Sequence, residues 1–138
     1  MRAVARFVVQ RHDSRHLHYD FRVEIDGSFK SWTLPKGPPL NAGERRLAIR
    51  TADHDLAFGD FAGTIPEGAY GAGIITIWDH GEYASDDDPR VALAREDVCV
   101  ILNGEHLKGR FRLMRPHHVK WRDRMNPKEW LLINDGPL

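Results

Sequence analysis

At 138 residues, with 41% hydrophobic and 29% charged residues, the chain has the balance of one globular domain (1–138) large enough to bury a core. Twenty basic residues against twenty acidic ones leave no net charge, so a globally basic nucleic-acid binder is excluded and any anionic ligand must be held by a local patch. The single cysteine excludes an internal disulfide framework and fits a reducing compartment, and the lack of an apolar leader or of ~18 consecutive apolar residues points to a cytoplasmic protein with no membrane partner.

In chain order, residues 4–10 (Val4 to Gln10) read as a first strand that delivers His12 into a loop. From Leu17 the pattern alternates: Leu17, Tyr19, Phe21, Val23 and Ile25 are apolar, and His16, His18, Asp20, Arg22 and Glu24 are not. This is the period of a strand, with one face for the core and neighbours roughly 7 Å apart on the other. His18, Asp20 and Arg22 share that second face. Imidazole and carboxylate suit a first-row divalent metal without choosing among Mn, Fe, Zn and Co, and an adjacent arginine suits an anion. His12, His18 and Asp20 are therefore the expected ligands, three groups that leave positions open for water and substrate. His16 is read as a rim residue. Arg22 is the expected phosphate clamp.

Asp26-Gly27 signals a hairpin, and residues 29–34 form the return strand. Pro35-Lys36-Gly37-Pro38-Pro39 is a stiff loop presenting Lys36. Residues 45–51 read as a strand with Leu47 and Ile49 inward and Arg46, Ala48 and Arg50 outward. Lys36, Arg46 and Arg50 supply a basic rim. His54 follows in a polar loop, placed to hold a phosphate oxygen or protonate a leaving one. The glycine-rich residues 58–73 carry neither GxxxxGK[ST] nor GxGxxG opening a helix, and read as turns between short strands.

Ile74 to Trp78 is expected as a buried strand, with Asp79-His80-Gly81-Glu82 turning it. Residues 85–89 form an acidic loop, 91–97 one short helix, and 98–102 a strand in which Cys99 packs into the core rather than acting as a nucleophile. Asn103-Gly104 signals a type I′ turn. Residues 107–115 alternate, 116–127 form a basic irregular loop, and 130–133 a last strand. The sum is mainly β: about eight short strands with one or two short helices, in a small antiparallel barrel or sandwich.

Several stretches together resemble one family. They are Gln10-Arg11-His12, Leu17-His18-Tyr19-Asp20-Phe21-Arg22, Lys30-Ser31-Trp32, Pro35-Lys36-Gly37-Pro38, Asp53-His54, Gly63-Thr64-Ile65-Pro66-Glu67-Gly68, Tyr70-Gly71-Ala72-Gly73 and Trp78-Asp79. In this order they are similar to the 3′-phosphoesterase domain of bacterial DNA ligase D, which also has stand-alone members. Leu107-Lys108-Gly109-Arg110-Phe111 and Trp130-Leu131-Leu132-Ile133 extend the likeness over nearly the whole chain. The resemblance implies a β-barrel that uses Mn2+, with Co2+ or Zn2+ as other candidates. It implies removal of a 3′-terminal ribonucleoside and then of the 3′-phosphate, leaving 3′-OH for non-homologous end joining. The implied partners are DNA primer-template or duplex 3′ ends and a separate ligase, polymerase and Ku. Carried over by motif, the metal ligands fall on His12, His18 and Asp20. Arg22 and His54 fall on phosphate-contacting catalytic positions, and Lys36 and Arg46 on basic positions linked to the monoesterase step.

The chain departs from the family pattern at Phe58, where a tyrosine is expected four residues after His54. It also begins close to its first strand, where family members carry an arm that assists ribonucleoside removal. Two other readings compete. His18-Tyr19-Asp20 with His54 imitates the HxD…H triad of Fe(II) oxygenases, which dependence on O2 and 2-oxoglutarate would reveal. A non-catalytic nucleic-acid-binding barrel with Lys108 to Lys120 as its surface would bind without turnover after metal removal.

Overall fold

The computed structural model describes residues 5–138, leaving aside the side chains of Val119, Trp121 and Arg122. Val4, the expected start of the first strand, lies outside the described residues. The strands are β1 (Ala5–Asp13), β2 (His18–Ile25), β3 (Ser28–Leu34), β4 (Arg45–His54), β5 (Gly63–Ile65), β6 (Gly73–Ala84), β7 (Asp97–Asn103), β8 (Lys108–Met114) and β9 (Glu129–Gly136). A 3-10 helix (Leu56–Asp60) and two helices, α1 (Pro89–Ala94) and α2 (Val119–Arg124), complete them.

All pairings are antiparallel, in the order β1-β2-β3-β4-β9-β8-β7-β6-β5. A second edge of β1 pairs with β6, from Ala5↔Tyr83 to Asp13↔Ile74, and closes eight strands into a barrel. The short β5 lies on the first half of β6, on the side β7 takes further along. The interior is filled by the apolar phase of each strand, including Phe7, Val9, Phe21, Val23, Leu34, Val100, Phe111 and Leu132, as in small barrels generally. Trp32 and Trp130 meet edge to face at 5.4 Å within it.

Turn chemistry accounts for one hairpin and not another. Asp26 and Gly27 both have positive φ (55° and 82°), as a type I′ turn requires. Asn103-Gly104 does not form that turn. The four residues 104–107 separate the pair Asn103↔Lys108, and the Asp79 carboxylate organises them. Asp79 is buried and accepts N–H bonds from His80, Glu105, His106 and Leu107 at 2.7–3.2 Å. A Cβ on Gly104 would lie 2.4 Å from that carboxylate, so the glycine is there for close approach. Asp79 to Glu82 is accordingly not a turn: β6 runs through it to Ala84.

Five further expectations change. Leu47 is exposed and Ala48 fully buried, because Ala48 is in register with the buried Trp130 and so shares its inward face. Arg50 lies over both rings, at 5.2 and 5.9 Å. Cys99 is only half-buried: Val98 and Val100 point inward, so Cys99 sits on the outer face, where burial pushes its thiol pKa up. Ile74 is half-exposed while Ile75 is buried. Residues 116–127 contain α2, and α1 begins at Pro89 with Asp88 as its cap, accepting from Arg90 N at 3.0 Å. Among the described residues no helix is long and apolar enough to cross a membrane.

Candidate active site

The site lies on the outside of the barrel wall. The outward phase of β1, β2 and β3 carries Gln10 and His12, then His18, Asp20 and Arg22, then Ser31 and Thr33, with registers His12↔His18, Gln10↔Asp20, Arg22↔Ser31 and Asp20↔Thr33. Outward residues of a barrel are normally wet. Here Gln10, His12, Asp20, Arg22 and Ser31 are buried, because residues 56–72 fold back over them. The 3-10 helix is clipped down by Gln10, whose Nε2 donates to the carbonyls of Phe58 (2.8 Å) and Phe61 (3.2 Å). Gly59 lets it lie against Phe29, since a Cβ there would meet the ring at 2.5 Å.

A cleft of about 980 Å³ remains between this cover and the wall, lined by His12, His18, Asp20, Arg22, His54 and Phe58 among others. Ligand atoms of His12, His18 and Asp20 lie within 4.8 Å of one another. Asp20 Oδ2 is 3.6 Å from His12 Nδ1 and 3.5 Å from His18 Nε2.

The tautomers follow from the opposite ring edges. His12 Nε2 faces the carbonyls of Gly71 (2.9 Å) and Ala72 (3.2 Å), which only accept, so Nε2 carries the proton and Nδ1 presents a lone pair. His18 Nδ1 faces the His16 carbonyl at 3.1 Å, which leaves the Nε2 lone pair toward Asp20. Thr33 donates to Asp20 Oδ1 at 2.9 Å and fixes the carboxylate. Two lone pairs and a carboxylate oxygen converging on one point repel each other unless a cation sits between them. The donor set fits a first-row divalent metal, and the backbone carbonyls and Thr33 are the outer partners such ligands use. The metal's identity is not set by these residues.

The protonation equilibria agree. Without a metal a proton takes the cation's place: the His18 imidazolium donates to Asp20, which raises the His18 pKa, with burial opposing it. Burial pushes the Asp20 carboxyl up, but the His18 hydrogen bond and the Arg22 charge outweigh it, and the net pKa is lowered.

Arg22 lies beside this centre, its NH2 3.8 Å from Asp20 Oδ2. Its Nε donates to Gln10 Oε1 (2.7 Å) and its NH1 to Ser31 Oγ (2.7 Å), so the fork is aimed by two buried neutral groups. Phe58 lies under the guanidinium at 4.8 Å and beside the His54 ring at 4.7 Å. His54, expected in a loop, is the last residue of β4. Its Nδ1 is 3.1 Å from Arg22 NH1 and 3.0 Å from the Ala52 carbonyl. It cannot serve both at once. A neutral ring accepts from the always-protonated arginine and keeps its proton on Nε2, whereas an imidazolium would donate to Ala52 and repel Arg22. Burial, then the Arg22 charge, lowers the His54 pKa, so the neutral form dominates near pH 7.

In metal-free protein, NMR titration of the imidazole C2 protons therefore places the His54 midpoint below 6.5 and the His18 midpoint above it. The linkage signs are opposite. His18 stabilises the fold fully below pH 6.5 and loses that contribution as pH rises through its folded pKa; His54 contributes above pH 6.5 and loses it as pH falls toward its folded value. Midpoints in the reverse order would refute these assignments.

Not every expected residue is at the cleft. His16 is exposed and supplies only its carbonyl. Lys36 is exposed on the loop after β3, and Arg46 is turned to Glu44 at 2.6 Å; neither lines the cleft. The HxD…H triad does not assemble, since His12 occupies the third place and Arg22 holds His54. Gln10, Ser31, Thr33 and the 66–72 turn are participants that residue-type reasoning passed over. Gln10 had a signal: it stands two before His12, on the same strand face.

Fold and site together define a class, a closed β-barrel with a candidate two-histidine, one-carboxylate metal centre and a buried arginine on its wall. Residues 10–115 match the family model of the DNA ligase D 3′-phosphoesterase domain, and the chain belongs to that family. It is 44% identical over 128 residues to the multifunctional non-homologous end joining protein LigD of Pseudomonas aeruginosa, covering 93% of this chain and 15% of the relative. Similarity to the multifunctional non-homologous end joining DNA repair protein LigD of Mycobacterium tuberculosis is 44% over 118 residues (83% and 15%). To the multifunctional non-homologous end joining protein LigD of Mycolicibacterium smegmatis it is 39% over 124 residues (84% and 16%). The chain thus spans about 15% of the length of these curated relatives.

Proposed function

We propose that this chain is a manganese-dependent 3′-end-healing phosphoesterase, which removes a 3′-terminal ribonucleoside and then the 3′-phosphate of a DNA end. The observation that carries the reading is the convergence of His12 Nδ1, His18 Nε2 and Asp20 Oδ2 beside the guanidinium of Arg22. A metal held by those three groups would supply Lewis-acid charge and make water a better nucleophile. Arg22, pre-aimed by Gln10 and Ser31, holds a non-bridging phosphate oxygen and offsets the charge that grows there in the transition state. Neutral His54 offers Nε2–H to a second phosphate oxygen or to the departing one.

Phe58 brings no hydroxyl to the phosphate, and its ring instead braces Arg22 and His54. The substrates are primer-template or duplex 3′ ends bearing a ribonucleotide or a phosphate. Repair partners would be a ligase, a polymerase and Ku. Lys36 and Arg46 remain candidates for phosphate contact outside the cleft.

The test is a 5′-labelled primer-template ending in one ribonucleotide, beside the same duplex ending in 3′-phosphate, with and without manganese. The expected result is conversion to a 3′-phosphate product and then to 3′-OH, in manganese only. Metal-bound protein that leaves both duplexes intact would overturn the reading.

A further inference from the structure

The cleft is larger than a phosphate requires, and at about 980 Å³ it falls at the upper end of pockets that enclose whole small molecules. Its rim carries Tyr70, which is fully exposed. A wet tyrosine ring buries none of the area by which aromatics stabilise a fold, so packing does not explain it. Its backbone, in contrast, is tightly placed. Ala69 N bonds Pro66 O (3.1 Å) and Ala72 N bonds Ala69 O (3.2 Å), while Gly68 and Gly71 take positive φ (89° and 77°) on either side. The carbonyls of Gly71 and Ala72 are tied to His12 Nε2. Gly73 lies so close to the Asp13 backbone that a Cβ would meet its carbonyl at 2.5 Å. An exposed ring on an anchored backbone, one residue from a partner of a candidate metal ligand, is a preorganised platform.

We infer that Tyr70 is a base-stacking residue that holds the nucleobase of the strand's 3′-terminal nucleotide while its phosphate occupies the His12–Arg22 centre. This rests on the reading of the site as a 3′-end phosphoesterase. Every base offers a π face, so one ring gives affinity and position without sequence preference. Arg15, exposed and lining the same cleft, stands where the backbone of that strand enters.

The experiment uses the full chain, Tyr70→Ala and Tyr70→Trp. The probe is a DNA strand with a 3′-phosphate and 2-aminopurine as its last base, against the same strand with an abasic last residue. With metal chelated, wild type and Tyr70→Trp quench the fluorophore on binding, and Tyr70→Ala does not. With manganese, Tyr70→Ala raises KM by about 5- to 150-fold, the value of one base–aromatic stack, with kcat changed far less. Removing the base from the wild-type substrate costs a similar factor, and removing base and ring together costs no more than either alone. Equal KM and equal quenching in Tyr70→Ala, or losses of base and ring that multiply, would overturn the inference while leaving the hydrolase reading standing. Ring-dependent quenching by a wild type that turns nothing over would support the platform and refute the hydrolase. Neither quenching nor turnover in wild type would refute both.

Discussion

Replacing His18 with alanine lowers manganese-dependent hydrolysis by about a hundred- to a thousandfold, the order lost when one group that stabilises transition-state charge is removed. The fold survives. His18 is half-buried on the outer wall, outside the apolar interior, and its removal deletes its bond to the His16 carbonyl and its contact with Asp20. The metal-free thermal midpoint should therefore move by no more than about 4 °C. Thermal stabilisation by the metal separates this from a structural defect. Wild type gains about 2.7 kcal/mol at a metal concentration a hundred times Kd, and the variant at the same concentration gains far less. Loss of the imidazole also leaves Asp20 with His12 and Arg22, so its carboxyl becomes easier to protonate than in wild type. Near-normal turnover with an undiminished manganese-dependent shift would remove His18 from the ligand set.

This pairing of a chemical centre with a dispensable structural role explains what could be read in advance. Period-two alternation in residues 17–25 and 107–115 is a direct image of an inside and an outside, so β2 and β8 are legible, and with them the shared face of His18, Asp20 and Arg22. Closure was legible only as a class, because the β1–β6 pairing joins residues more than sixty positions apart.

The errors have physical causes. In β4 the residue facing the core is Ala48 and not its larger neighbour Leu47, because the inward phase is set by register with the buried Trp130. At Asn103-Gly104 a long-range carboxylate, Asp79, overrides the local turn preference. The cover over the site was unreadable as a cover. Residues 56–72 have no periodicity, and what pins them is the Arg6, Gln10 and His12 side chains reaching backbone carbonyls. Backbone acceptors leave no mark in a sequence, and the tautomers of His12 and His18 are set by such acceptors.

Arg22→Lys, which keeps the charge and discards the fork, should lower turnover by about a hundredfold. Arg22 spends its Nε on Gln10 and one NH1 proton on Ser31, and it meets His54 and Asp20 with what remains. A lysine ammonium is one point on a flexible stem. It can approach Asp20 or a phosphate, but it cannot hold both while satisfying Gln10 Oε1 and Ser31 Oγ, at a position where the arginine is 4% exposed. Leaving those buried groups without their donor costs about 1–3 kcal/mol, so the variant should also unfold at lower denaturant. Loosened Gln10 would release the Phe58 and Phe61 carbonyls, and the 3-10 helix would open over the cleft. Amide hydrogen exchange in residues 56–61 should then speed up in Arg22→Lys and stay slow in His18→Ala, with both proteins metal-free. A lysine variant within a few-fold of wild type, with protected 56–61 amides, would show that charge alone suffices at this position and that Gln10 holds the cover without the arginine.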